Sequence, residues 1–374
     1  MIMEDFVSYL LYLVVFAISI FFSRQYDKRK NSIIGWKSKM VYCILITLPV
    51  IFLQGFRYDV GTDYLSYASL YRGFSEGNEI FASWYANEPL FTLTCRIVYF
   101  ISNGNQTAFF LTDAVLMNVL LFFAFDYYKD QVSLPVMYTF YYLLCFPYFL
   151  NIERQGLAVI IIWYAMRYVH EKKLLKFFFC IFIATLFHNT AIFGLVLYFI
   201  NFLKGKFRVY IKFLVIVVAF FSPFIINWSI NFLSNNVELF QKYLKFLRTD
   251  IMGELETVNT NFLYMALLMA VLLLMIRFLK RMGLDLFWIS FLCAAQMFSY
   301  LLNNYIDWGF RMSFYFEFGV MYSYSFVYTK LKYRVNRLVL LAFIAVLLMF
   351  YFTYKFYIQG NCEIFPYQFI WSEH

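Results

Sequence analysis

The chain has 374 residues, 63% of them hydrophobic and 14% charged, and its mean hydropathy is +0.67. So much apolar surface excludes a soluble domain, and long apolar runs without a period-two alternation exclude a transmembrane barrel, leaving an all-α polytopic membrane protein. The net charge of +9 falls in short clusters beside apolar runs, where it sets membrane orientation, so no nucleic-acid partner is expected.

In chain order, the first apolar run, Phe6 to Ser23, follows acidic Glu4 and Asp5 and precedes the basic RQYDKRK, the reverse of a signal peptide's charge order. It reads as a retained first helix. Lys28, Arg29, Lys30, Lys37 and Lys39 place the following loop in the cytoplasm, so the next helix, ending near Gln54, delivers FRYDVGTDYLSYASLY (Phe56 to Tyr71) to the outer face. A span of 15 residues from Glu88 to Ser102 is too short to cross and is expected to lie at the outer face or to re-enter. Crossings are expected at about 107–126, 133–150 and 154–169. The last of these must begin outside, because HEKKLLK (His170 to Lys176) marks the cytoplasm.

Cations at Lys176 and Lys204 flank one apolar stretch with FHNT in its middle. A single crossing would violate the charge rule, so a hairpin of two short helices is expected, with His188 near its turn. A second outer segment, 231–260, has apolar residues at helical spacing together with Lys242, Lys245 and Arg248, the pattern of an interfacial helix. Further crossings at about 209–228, 261–279, 284–302, 310–328 and 338–357 bring the expected total to about 12, with both termini outside. No repeat or soluble segment interrupts the chain, so 1–374 reads as one transmembrane domain with outer-face segments at 55–106 and 231–260. The six cysteines never form CxxC, and neither a zinc site nor a disulfide framework is expected.

Ionisable residues at membrane depth are costly and mark cavities and polar paths. Arg57, Asp59, Asp63, Arg72 and Glu88 belong to the first outer segment; Glu153, Arg154 and Gln155 open one helix, His188 tips the hairpin, and Asp307 and Arg311 open another. Several arginines and carboxylates converging on one face suit an anionic substrate that needs proton transfer. Arginine's planar fork fits a diphosphate, and a carboxylate or histidine takes the proton from an attacking hydroxyl. The competing structural readings are an ion-paired turn in which Thr62 or Asp63 caps the next helix, Glu153 as the neutralising partner of Arg154, and a hydrogen-bonded turn histidine at 188. Tyr58, Tyr64 and Tyr67 are candidates for stacking on sugar rings.

FRYDVGTDYLSY followed by NEPLF, ERQGLA, ATLFHNTAIFGL and a late WGFRMSFYF resembles, in order and spacing, the EpsG-like family of Wzy-type polysaccharide polymerases. The resemblance implies the helical architecture of lipid-phosphosugar-dependent glycosyltransferases and a reaction at the outer face of the bacterial cytoplasmic membrane. The enzyme would transfer a growing glycan from undecaprenyl diphosphate onto a lipid-linked repeat unit, with inversion. Catalytic candidates are then Asp63, Glu88 and His188; candidates for binding diphosphate or glycan are Arg57, Asp59, Tyr64, Arg72, Arg154, Gln155 and Arg311. No cofactor or metal is required by this reading, and the partners it implies are the bilayer, the lipid-linked oligosaccharide, a chain-length regulator and a flippase. A flippase or exporter of the same lipid, or an O-antigen-type ligase, is the alternative.

Overall fold

A computed structural model describes residues 2–29, 35–75, 88–199 and 309–372, with isolated helical positions between 264 and 299. Helices dominate the described residues: α1 Ile2–Asp27, α2 Trp36–Gly55, α3 Tyr64–Ser75, α4 Pro89–Ser102, α5 Gln106–Asp126, α6 Leu134–Phe140, α7 Phe146–Phe149, α8 Glu153–His170, α9 Leu174–Phe187, α10 Val196–Phe199, α11 Gly309–Lys330 and α12 Arg334–Phe352. In an apolar solvent a backbone must satisfy its own polar groups, and the helix does so within one segment.

Local chemistry sets the limits of these elements. Pro89 sits at the first position of α4, where its missing N–H costs nothing. The left-handed pair Asn103 and Gly104 ends that helix. Asn105 then caps α5, its side chain accepting from the Thr107 N–H at 2.8 Å. Between α6 and α7 a π-turn, Tyr141–Cys145, lies just before Pro147; the proline cannot donate into an α-helical ladder, and the wider turn absorbs the break.

The chain divides into two compact units, 1–195 with 325–374, and 196–324. In the first, α1 packs on α2, α2 on α5, α5 on α8, and α8 on α9. Gly156 of the ERQGLA motif permits a close approach, since a Cβ there would lie 2.8 Å from Met117 Cε on α5. At one end of this bundle Asp126 accepts from Tyr26 at 2.5 Å and pairs with Lys39, the cation that the charge pattern assigns to the cytoplasm. After α12 the chain returns as an irregular tail. Tyr367 N–H donates to Ser8 Oγ at 2.8 Å, and its hydroxyl donates to the Leu53 carbonyl at 2.6 Å. In the second unit, α11 buries Glu317, which accepts from Gln296 Nε2.

Four described helices are long and apolar enough to cross a membrane: α1, α2, α5, and α12 with its π-helical continuation. Large apolar side chains point outward from several helices, among them Leu175 and Val346, as a lipid-facing surface requires. The expected count of about 12 crossings is therefore not reached among the described residues, and the segments expected at 209–228, 261–279 and 284–302 and the interfacial helix at 231–260 lie outside them or are only sparsely covered. The stretches expected at 133–150, 154–169 and 310–328 are helical, but differ from simple apolar spans. The first is broken by the π-turn, while α8 and α11 bury most of their surface and carry Glu153 and Glu317 inside; a helix enclosed by protein need not be apolar all round. At 14 residues, α4 is about 21 Å long, short of a hydrocarbon core.

Candidate functional site

RYDVGTDY forms a tight turn between α2 and α3. Asp59 is left-handed at φ +49°, and Gly61 takes φ +102°, which a side chain rarely adopts. A Cβ on Gly61 would also lie 2.8 Å from Asn151 Oδ1. That oxygen organises the turn, accepting from Thr62 Oγ1 at 3.0 Å and from the Asp63 N–H at 3.2 Å. The tail closes the turn from the other side: Tyr58 N–H donates to Gln368 O, Gly61 N–H to Glu363 O and Thr62 N–H to Cys362 O. Arg57 and Phe369 form an isolated antiparallel bridge.

Arg57 is fully buried. Its Nη1 donates to the carbonyls of Val60 at 3.2 Å and Leu150 at 2.9 Å, and its Nη2 pairs with Glu153 Oε1. The guanidinium lies 5.1 Å from the Phe110 ring centre and 5.7 Å from that of Tyr64. Tyr64 is buried too, stacked on Phe110 at 4.5 Å and accepting from Gln106 at 3.1 Å. This half of the cluster joins the turn to the start of α8. Beneath it, Gln54 donates to Asp113 at 3.3 Å and accepts from Asn118 at 2.9 Å, extending the polar chain into α5.

The second half is more open. Glu88 precedes α4 and is held by three groups: Arg154 Nη1 pairs with Oε2, His188 Nδ1 lies 2.8 Å from Oε1, and the Asn189 N–H reaches Oε1 at 3.4 Å. Burial by itself would raise the Glu88 carboxyl, but the hydrogen bond from His188 and the charge of Arg154 outweigh it and hold the carboxyl below its usual value. The Arg154 guanidinium also lies over the rings of Phe91 at 5.5 Å and Tyr67 at 5.9 Å. Burial keeps the Tyr67 phenol well above its ordinary pKa despite Arg154, so it stays a neutral donor. The side chains of Arg154 and His188 retain 16% and 21% of their surface against 5% for Glu88, so the cation and the imidazole are reachable where the carboxylate is not.

His188 occupies its position because α9 ends there: its backbone is extended at φ −156° and its N–H closes the last helical bond to Ala184 at 2.9 Å. A 3₁₀ turn, Asn189–Leu195, then folds back against α8 and α9, with Gly194 beside Ile162 and Ile181. The chain reverses at His188, where the cation pattern places a hairpin turn.

The partners of Glu153 and Arg154 are exchanged relative to the simplest expectation. Neighbours on a helix project about 100° apart and do not face each other, so Glu153 turns to Arg57 and Arg154 to Glu88. Asp63 is half-buried before α3, its carbonyl accepting from Tyr67 N–H at 2.9 Å. Asp59 and Arg72 are exposed, and Arg72 Nε reaches Ala68 O at 3.5 Å on its own helix. Gln155 is buried on α8. Arg311 is exposed near the start of α11, in the second unit, and Asp307 lies outside the described residues. Asn151 and the tail residues Cys362, Glu363 and Gln368 escaped the sequence reading; the asparagine adjoins ERQGLA, but nothing in the tail's composition signals its contact with the turn. Among the described residues no group of three His, Cys, Asp or Glu side chains is placed to hold a metal ion.

The motif residues of the first unit thus gather from four separated stretches of chain, and the EpsG family model matches residues 40–369, which include all of them. The chain belongs to the EpsG family. This is a family of Wzy-like polysaccharide polymerases, and the helical, lipid-facing architecture of the described residues is that of a membrane protein. No curated protein and no solved structure matches it.

Proposed function

We propose that the chain polymerises polysaccharide at the outer face of the bacterial cytoplasmic membrane, moving a growing glycan from undecaprenyl diphosphate onto a lipid-linked repeat unit with inversion. The Arg154–Glu88–His188 constellation carries this reading. An ionised Glu88 accepts from the Nδ1–H of His188, which leaves Nε2 as the ring's proton acceptor. As the acceptor hydroxyl attacks the anomeric carbon, its proton passes to Nε2. The bond from that carbon to the diphosphate oxygen breaks, and the leaving diphosphate keeps the electron pair. Arg154 is placed to stabilise that charge, since a guanidinium presents five donors in a fork suited to phosphate.

Among the three base candidates the geometry favours His188, because Glu88 is engaged on both oxygens and Asp63 stands at the start of α3. Glu88 is then a positioning residue. Arg57, with no accessible surface, supports the turn and the start of α8, together with Tyr64 and Gln155. The exposed Asp59 and Arg72 and the half-buried Asp63 are proposed to bind glycan, and Arg311 to bind glycan or diphosphate. A chain-length regulator and a flippase are the proposed partners.

The test is polymer formation in proteoliposomes supplied with purified lipid-linked repeat units, comparing the parent with His188→Gln and Arg154→Ala at matched levels of folded protein. His188→Gln is expected to slow lengthening by about 10² to 10⁴, the usual worth of a general base. Parental rates in both variants, or lipid-linked units that change leaflet without lengthening, would overturn the proposal.

A further inference from the structure

An apolar groove of about 460 Å³ runs between α5, α8 and α9, walled by Val119, Phe123, Leu157, Tyr164, Phe179 and Phe187 among others. Both of its ends are marked by cations. At one end Phe187 immediately precedes His188, and Leu157 lies one helical turn beyond Arg154 on the same side of α8. Phe187 also packs against the cluster containing Tyr67 and Phe91, the two rings beneath the Arg154 guanidinium. At the other end Arg167 stacks 3.7 Å from the Tyr164 ring centre and donates to the Phe123 carbonyl at 2.5 Å, closing the floor. From Leu157 to Tyr164 and from Phe179 to Phe187 the walls are about 10 to 12 Å long.

We propose that this groove holds the isoprenoid chain of the lipid-linked substrate next to its phosphate. The inference rests on the reaction proposed above and adds a location for the carrier. A chain entering between α8 and α9 with its phosphate at Arg154 sets the scissile bond beside His188, while the apolar walls take the first isoprene units and Arg167 turns the remainder out into the bilayer. Phe179 is 64% exposed, so the groove opens sideways to lipid and the carrier enters without crossing the polar cluster. Because the isoprenoid is already out of water in the bilayer, what the groove adds is packing against fixed apolar and aromatic walls, a contact that the glycan end does not supply.

The experiment places p-benzoylphenylalanine at Phe179, and separately at Val346 on the lipid-facing side of α12, in the full chain. Each protein is reconstituted in nanodiscs of phosphatidylglycerol and phosphatidylethanolamine doped with a small fraction of polyprenyl-diphosphate-linked repeat unit, then irradiated. Carrier adducts at position 179 are expected several-fold above the carrier's mole fraction, with no enrichment at 346 and loss of enrichment on Arg154→Gln. Phospholipid adducts in bulk proportion at both positions would overturn the proposal and make the groove an ordinary lipid-packing surface. Polymer formation is measured in the same discs with the unlabelled parent. Carrier enrichment without any lengthening would refute the polymerase reading while leaving the carrier site standing. Filling the groove by Cys180→Trp is expected to raise KM about tenfold with kcat unchanged, since the contact acts equally in ground and transition states; an unchanged KM would count against the groove.

Discussion

Replacing Arg57 by methionine separates a supporting arginine from one that grips substrate. Arg57 is fully buried, and its partner Glu153 is 1% exposed. Removing the guanidinium leaves the Glu153 carboxylate buried without its counter-charge and takes donors from the Val60 and Leu150 carbonyls. Breaking a buried pair by deleting one partner costs ~3–5 kcal/mol, and we expect Arg57→Met to fall in that range. Replacing both partners, Arg57→Met with Glu153→Leu, removes the stranded charge and is expected to recover most of the loss. Unfolding in mixed micelles, followed by tryptophan fluorescence, gives the two stabilities and their coupling. Polymer formation is measured on the same preparations. If Arg57→Met keeps parental stability but forms no polymer, Arg57 touches substrate and the division of labour drawn here is wrong.

The Glu88 clamp gives a pH signature. Its folded carboxyl lies below the ordinary value of 4.5, so its stabilisation is fully present above that value and is lost as pH falls through the depressed one. Melting temperatures stepped downward in pH should hold through the ordinary carboxylate range and then drop, and Glu88→Gln should start lower and flatten that acid limb. Gly61→Ala places a Cβ at φ +102° and against Asn151 Oδ1; a cost of ~1–3 kcal/mol in unfolding free energy is expected, with lengthening activity falling alongside. Ending the chain after Ile358 removes the carbonyls of Cys362, Glu363 and Gln368, and hydrogen exchange at the Gly61 and Thr62 amides should then accelerate while α5 and α8 stay protected.

The membrane class, the helices from α1 to α5 and the reversal at His188 were legible because apolar length and cation placement report directly on the solvent each segment meets. The gathering of Arg57, Glu88, Arg154 and His188 into one unit was legible from topology. What topology does not carry is pairing. Glu153 and Arg154 are adjacent in sequence, which invites a contact that helix geometry forbids. Arg57 carries the same charge as Arg154, and only burial, a property of everything packed around it, distinguishes the enclosed strut from the reachable cation. The tail was invisible for a related reason: its contacts with the turn are main-chain, and a carbonyl has no sequence signature; Asn151 acts through its side-chain oxygen, but on a backbone amide and a hydroxyl that no charge pattern marks.

The tail's grip on RYDVGTDY also fixes when the turn can be completed. The turn emerges from the ribosome early, between the second and third helices, yet the carbonyls that hold its amides belong to residues 362–368, synthesised after every described membrane helix. A chain still being inserted therefore has Arg57, Glu88, Arg154 and His188 before it has the tail that closes the turn. In partial products the amides of Tyr58, Gly61 and Thr62 lack these acceptors, and the turn is closed only after the last described helix has been made.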